Sequence, residues 1–298
     1  MKVLVTGAAG QLGRAMMEEL KKRGHEAVGT VRAPADIPSC IQLDITDPQS
    51  AMAAVTENRP EAVVHCAAWT AVDLAEENAE QVWAVNVEGT ENIALACRAA
   101  GSRMVYISTD YVFDGRGTEP WPADCKSYRP LSVYGRSKLA GEQAVSKILD
   151  QYFIVRTAWV FGPGGKNFVD TILGAGEKNG FVRVVCDQIG TPTYTRDLAR
   201  LLADMIQTER YGYYHATSGG GYISWYEFTR EIYRQAGCGA KVIPVTTEQY
   251  GPSKAARPFN SRLDNSKLEK TGFTPLPPWQ DALGRYLEER KNVNSRTD

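Results

Sequence analysis

The chain has 298 residues, 43% of them hydrophobic, and 34 basic against 35 acidic side chains leave a formal net charge of −1. That length buries a sizeable core in one large or two interlocked domains, and the even charge, without a basic block, argues against a nucleic-acid or membrane partner. Six scattered cysteines with no Cys-x-x-Cys pair fit reduced thiols rather than disulfides or zinc, so no metal is expected. Met1-Lys2 leads into only three apolar residues before Thr6-Gly7, and no later apolar run reaches bilayer length, which predicts a cytoplasmic protein.

The first strand, Val3–Val5, runs directly into Gly7-Ala8-Ala9-Gly10-Gln11-Leu12-Gly13 and a helix whose Leu12, Ala15, Met16 and Leu20 share one face. Glycines at 7, 10 and 13 let a phosphate reach main-chain N–H groups and the positive end of the helix, so the segment reads as a dinucleotide cradle. Its Gly-x-x-Gly-x-x-Gly spacing, in place of the commoner Gly-x-Gly-x-x-Gly, points to one subset of nicotinamide enzymes. The next strand, Ala27–Val31, ends in Arg32 where an acidic ribose ligand is expected. A guanidinium there pairs with a 2′-phosphate and favours NADPH over NADH.

Asp44 either holds the adenine amino group or caps the turn before Asp47-Pro48, which start a helix running to about Asn58. His65 ends the apolar strand Ala62–His65 and is expected to be a satisfied core residue. A helix from about Ala79 to Ala100, stopped by Gly101, buries Val82, Val85, Ile93 and Cys97. It carries Asn86 inward, either to support a water near Lys138 or to fill a polar pocket. Strands follow at Met104–Ser108 and Phe153–Arg156.

After Trp159 come Gly162-Pro163-Gly164-Gly165, a strand at Val182–Val185, a helix from about Thr195 to Ile206, and proline-rich loops near Pro252, Pro258 and Pro275–Pro278. The end from about Lys291 is expected to fray. Alternating strands and helices predict an α/β fold, a doubly wound parallel (Rossmann) sheet over residues 1–160. A smaller substrate-binding lobe is expected over 161–298, with some segments packing back on the first domain.

Tyr134-Gly135-Arg136-Ser137-Lys138 places a phenol and an ammonium on one helical face. A neighbouring cation lowers a phenol from its ordinary value of about 10, which turns the pair into acid–base equipment. Thr109, with Ser108 as second candidate, offers a strand-end hydroxyl to a substrate carbonyl. The set suits hydride transfer from a nicotinamide to a carbonyl carbon, with the tyrosine protonating the oxygen. Two rival functions share this scaffold: a nucleotide-sugar epimerase or dehydratase that retains NAD, and a non-catalytic cofactor-binding regulatory subunit.

The glycine spacing, Asp44-Ile45, Ala67-Ala68, Asn86, Ser108-Thr109-Asp110 and Tyr134-x-x-x-Lys138 together resemble the extended short-chain dehydrogenase/reductases. Ala67-Ala68-Trp69-Thr70-Ala71-Val72-Asp73, Ser108-Thr109-Asp110-Tyr111-Val112-Phe113-Asp114-Gly115 and Ala256-Arg257-Pro258-Phe259-Asn260-Ser261-Arg262-Leu263 resemble the branch that reduces the C4 keto group of dTDP-linked 4-keto sugars. The resemblance implies Thr109, Tyr134 and Lys138 as the catalytic trio. It implies Gly10-Gln11-Leu12 at the cofactor diphosphate, Asp44-Ile45 at the adenine, and Ala67, Ala68, Trp69 and Thr70 at the nicotinamide. Thr109, Asp110, Tyr111 and Trp159 would touch the sugar, and Arg257 and Arg262 are candidates to clamp its diphosphate. A homodimer is likewise implied.

Overall fold

The computed structural model describes residues 1–33, 37 and 39–294, with side chains to residue 292. Six strands come from residues 1–160: β1 (Lys2–Thr6), β2 (Glu26–Val31), β3 (Cys40–Gln42), β4 (Ala62–His65), β5 (Arg103–Thr109) and β6 (Tyr152–Thr157). They lie parallel in the order β3-β2-β1-β4-β5-β6, and the strand Gly212–His215 adds itself beside β6. β1 and β4 are apolar almost throughout because helices cover both faces of the sheet.

One face carries α1 (Gln11–Lys22) and the helix Thr195–Met205, whose Leu198, Leu201 and Leu202 pack with Met16, Leu20 and Val5. Thus the second half of the chain supplies a strand and a covering helix to the first domain. The other face carries α2 (Pro48–Asn58), α5 (Gly89–Ala100) and α6 (Val133–Ile148) over Leu4, Val63, Met104, Tyr106 and Ile154.

The single helix expected over 79–100 is divided. α3 (Val72–Ala75) precedes α4 (Ala79–Trp83), and Ala84–Glu88 form a π-turn before α5. Such wide turns insert into a helix where a side chain must leave the regular register. The one turned inward here is Asn86.

The remaining residues build a smaller lobe, in which the helices Phe168–Asn179, Trp225–Ala236 and Trp279–Asn294 surround Phe161, Leu173, Val184, Phe228, Ile232 and Leu283. A parallel strand pair, Phe181–Val185 with Lys241–Val245, lies against them. The last helix continues past Lys291 to Asn294, so the fraying expected from Lys291 is not seen there; residues 295–298 lie outside the described residues.

Candidate active site

Strand order reverses between β1 and β4, which opens a crevice at the carboxyl ends of these strands. Gly7 enters it with φ 66°, and a Cβ there would lie 2.8 Å from the Ala67 nitrogen. At Gly13 a Cβ would strike the Gly7 carbonyl, so the glycine lets α1 sit against the turn. Gly10 is different: a Cβ would meet nothing nearer than the Gly7 oxygen at 3.3 Å, and its φ is an ordinary −77°. Neither packing nor backbone strain demands glycine there. What the missing side chain leaves is clear approach to the N-terminus of α1, which fits a dinucleotide diphosphate.

Leu12 is buried in the core and Ile45 packs against Gly89, so both side chains are taken up by packing, and the Ile45 carbonyl accepts from Asn92 at 3.0 Å. The Gln11 amide donates to the Lys166 carbonyl at 2.8 Å, tying the glycine-rich loop of the second lobe to the cradle. Arg32 is exposed at the end of β2. Asp44 accepts from the Thr46 N–H at 3.0 Å and from its hydroxyl at 2.8 Å, and these bonds, with Arg32 nearby, hold its carboxyl below the usual range. The turn-capping alternative is therefore present.

The Ala67–Thr70 loop follows β4. Asn86 accepts from the Trp69 N–H at 2.7 Å and donates to the Trp69 carbonyl at 3.1 Å and to Ser137 Oγ at 3.0 Å. It thus pins this loop to α6, and the polar-pocket alternative holds. His65 is buried between Thr6 Oγ1 at 2.7 Å and Thr90 Oγ1 at 3.1 Å. Desolvation, reinforced by Lys138, pushes its imidazole down to about 3, so it is neutral and serves the core.

Tyr134 and Lys138 sit on α6, which is seated by two glycines. A Cβ at Gly135 would strike the Tyr111 carbonyl, and one at Gly141 the Tyr106 hydroxyl. Thr109 ends β5 within hydrogen-bond reach of the Tyr134 hydroxyl and donates to Asp110 Oδ1 at 3.0 Å. The Lys138 ammonium lies 4.0 Å from the centre of the Tyr106 ring.

Two expectations are corrected here. Burial raises the Tyr134 phenol above its ordinary value, outweighing the Thr109 bond, so the phenol is not brought down towards neutral pH. The same loss of water acts on Lys138 itself, bringing its ammonium down to about 7 against the opposing pull of Glu142. Ser108 points to the opposite side of β5 from Thr109, as strand alternation requires, and donates to Glu142 Oε1 at 2.5 Å. It is a packing partner of a buried carboxylate, not a second substrate hydroxyl.

The second lobe closes the crevice. Trp159, held at φ 50°, stacks on Trp225 with ring centres 3.7 Å apart, and Gly190 leaves room for its face. Tyr111 packs edge-on to Tyr134. Arg257 donates to Asp73 Oδ2 at 2.7 Å and bonds Tyr111, whereas Arg262 donates to Asn260 Oδ1 at 2.9 Å. Both candidate clamps are thus engaged by protein, Arg257 beside the trio and Arg262 within its own loop. Asp110 is buried next to Ser261, and desolvation raises its carboxyl to about 6.

The model of the RmlD substrate binding domain matches residues 1–292. A dTDP-4-dehydrorhamnose reductase from Streptomyces griseus is 42% identical over 94% of this chain and 91% of its own length. The spore coat polysaccharide biosynthesis protein SpsK of Bacillus subtilis is 39% identical over 98% and 99%. This chain belongs to the dTDP-4-dehydrorhamnose reductase family. A crystal structure of the Bacillus anthracis dTDP-4-dehydrorhamnose reductase in complex with NADP superposes with a TM-score of 0.90 at 39% identity, covering 97% of this chain and 99% of that one.

Membership makes the protein an oxidoreductase on a Rossmann fold. Sequence reasoning missed Trp225, Asp73, Ser261 and Glu142. Asp73 and Ser261 lie inside the runs 67–73 and 256–263 that carry the family resemblance but were given no role, whereas Trp225 carries no local signal, since it reaches the site from a distant helix. Glu142 was legible, one turn beyond Lys138 and two beyond Tyr134 on the same helical face.

Proposed function

We propose that this chain reduces the C4 keto group of dTDP-4-dehydro-L-rhamnose to give dTDP-L-rhamnose, using NADPH or NADH with NADPH favoured, in the biosynthesis of nucleotide sugars and cell-surface polysaccharide. The carrying observation is that Thr109, at the end of β5, is hydrogen-bonded to Tyr134, with Lys138 buried one helical turn further along α6 against the Tyr106 ring. Gly7, Gly10, Gly13 and the main chain of Gln11 and Leu12 hold the diphosphate, Arg32 the 2′-phosphate, Asp44-Ile45 the adenine, and Ala67 to Thr70 the nicotinamide. When bound, the cofactor supplies a hydride.

Thr109 Oγ1 and the Tyr134 hydroxyl are one hydrogen bond apart, so a carbonyl oxygen received there is held by both. The raised phenol keeps its proton until negative charge develops on that oxygen, which is the state a reductase needs in its acid. Lys138, when charged, stabilises the phenolate left behind. Asn86 positions the Trp69 loop. Trp159 and Trp225 provide a flat apolar wall for the sugar, and Arg257 exchanges Asp73 for the substrate diphosphate.

The 161–298 lobe is the substrate domain in this proposal, and the enzyme works in the cytoplasm as a homodimer. Among the described residues no helix is long and apolar enough to cross a membrane. The test mixes the purified protein with the keto sugar and NADPH. Absorbance of the reduced nicotinamide falls in step with sugar added; a folded protein that leaves it unchanged overturns the proposal. Stoichiometric consumption also separates reduction from epimerisation or dehydration, which return the cofactor to its starting state.

A further inference from the structure

Beneath the trio lies a buried group of charges that the proposed reaction does not itself use. Glu142 accepts from Arg156 Nε at 2.8 Å and Nη2 at 2.7 Å, and both side chains are almost wholly enclosed. Arg156 also donates to the Ala123 carbonyl and to the Tyr128 hydroxyl, and lies between the rings of Phe113, Tyr128 and Tyr213. Ser108 and His215 complete the surround. A buried ion pair is weak evidence for stability, since apolar side chains of similar volume often do as well. Its place invites another explanation: Glu142 follows Lys138 by one helical turn.

Several elements contribute groups around Lys138 and its helical neighbour Glu142, with the buried Asp110 that follows β5 acting on Tyr134. From β4 and its loop come His65 and Cys66; from β5, Tyr106 and Ser108; from α6 itself, Tyr134 and Glu142; from β6, Arg156; from the neighbouring strand, Tyr213 and His215; and from the loop before α6, Tyr128. His65 and His215 are neutral because burial lowers them, and Tyr106 because burial raises it. Burial lifts the Cys66 thiol to about 12, so at neutral pH it brings no charge to Lys138. What acts on Lys138 is then chiefly the Glu142 carboxylate, held on its far side by Arg156.

We infer that Glu142, anchored by Arg156 and Ser108, is a positioning residue that keeps Lys138 charged within the enclosed site. This deepens the proposed function and rests on it. Burial alone drives an ammonium to lose its proton. Glu142 opposes that loss across one turn of helix, and Arg156 prevents the carboxylate from being a lone buried charge. The Tyr106 ring beneath the ammonium favours the same charged form.

The test compares wild type, Glu142→Gln, Glu142→Asp and the double variant Glu142→Gln/Arg156→Met. The double variant is needed because Gln alone leaves Arg156 buried and unpaired, whereas the double change removes both charges at similar volume. Two readouts are taken. Carbon NMR of lysine-labelled protein follows the Lys138 side chain with pH, its signal being the one missing from Lys138→Met. Steady-state assays give kcat/KM for NADPH against pH, which reports ionisations of the free enzyme.

Loss of the carboxylate lowers the Lys138 midpoint by about one pH unit, the size of one charge acting across a protein interior. The alkaline limb of kcat/KM moves the same way, so activity falls more at pH 8 than at pH 6. Glu142→Asp, which retains the charge, keeps the midpoint near that of wild type. A Lys138 midpoint unmoved in both Glu142→Gln and the folded double variant overturns the inference and leaves Glu142 a packing residue. If wild type fails to oxidise NADPH with the keto sugar while the midpoint still moves, the substrate proposal fails and the role of Glu142 stands.

Discussion

The two halves of the crevice are made of different materials. The side proposed for the cofactor is main chain: Gly7, Gly10 and Gly13, the first turn of α1, and a loop whose Trp69 amide groups are held by Asn86. The side proposed for the substrate is side chains brought from far apart, with Trp159 against Trp225, and Arg257 against Asp73 and Tyr111. A main-chain site is set once the strand, turn and helix form. A side-chain site depends on the packing of a second lobe and is open to variation without loss of the fold.

The boundary between the halves runs through the trio, where the largest effect is expected. Tyr134→Phe should lower kcat by about 10²- to 10⁴-fold while circular dichroism and NADPH binding stay close to wild type. If NADPH binding collapses as well, the phenol belongs to the cofactor side.

Asp110 comes next, because it lies at the joint and is buried at a cost. Its carboxyl is raised to about 6 from an ordinary 3.8, so between those values the folded protein holds a proton that the unfolded chain releases. The stability this contributes is complete below the lower value and is lost as pH rises through about 6. Asp110→Asn should therefore stabilise the protein at pH 7.5 by up to about 3 kcal/mol and leave it nearly unchanged at pH 3.5, as read from denaturant unfolding at both. Equal effects at the two pH values would show that Asp110 is ionised at little cost.

On the cofactor side, Arg32→Ala should raise KM for NADPH roughly tenfold, the size of a lost charge-assisted hydrogen bond, with little change for NADH. A matched rise for both cofactors would remove the 2′-phosphate from its role. The smallest effect belongs to the substrate side. Trp225→Ala removes one stacked face and should raise KM for the nucleotide sugar by about 3- to 10-fold without altering NADPH binding. If both binding constants shift together, the two halves are coupled more tightly than their construction indicates, and the Gln11–Lys166 bond is the contact to examine.

Much of the site could be read from local pattern. Strand, glycine turn and helix are consecutive in the chain, and Tyr134 and Lys138 are four residues apart on a helix, so no distant contact was needed to place them. The split of the helix over 79–100 was not legible, because the π-turn at Ala84–Glu88 forms where Asn86 meets Trp69 and Ser137, contacts made only after folding. Ser108 illustrates the same limit. Adjacent hydroxyls look alike in sequence, whereas strand alternation sends one to the site and the other to Glu142.

The sequence by itself determined the alternating α/β architecture, the glycine turn and the proposed trio of Thr109, Tyr134 and Lys138, because each is a short-range pattern whose chemistry is written in neighbouring residues. Only the tertiary structure decided their electrostatics. Whether Tyr134 keeps its proton, Lys138 its charge and Asp110 its ionisation depends on how much water is excluded and which charges lie across the packed layers. Both are properties of three-dimensional burial, and no spacing along a chain encodes them.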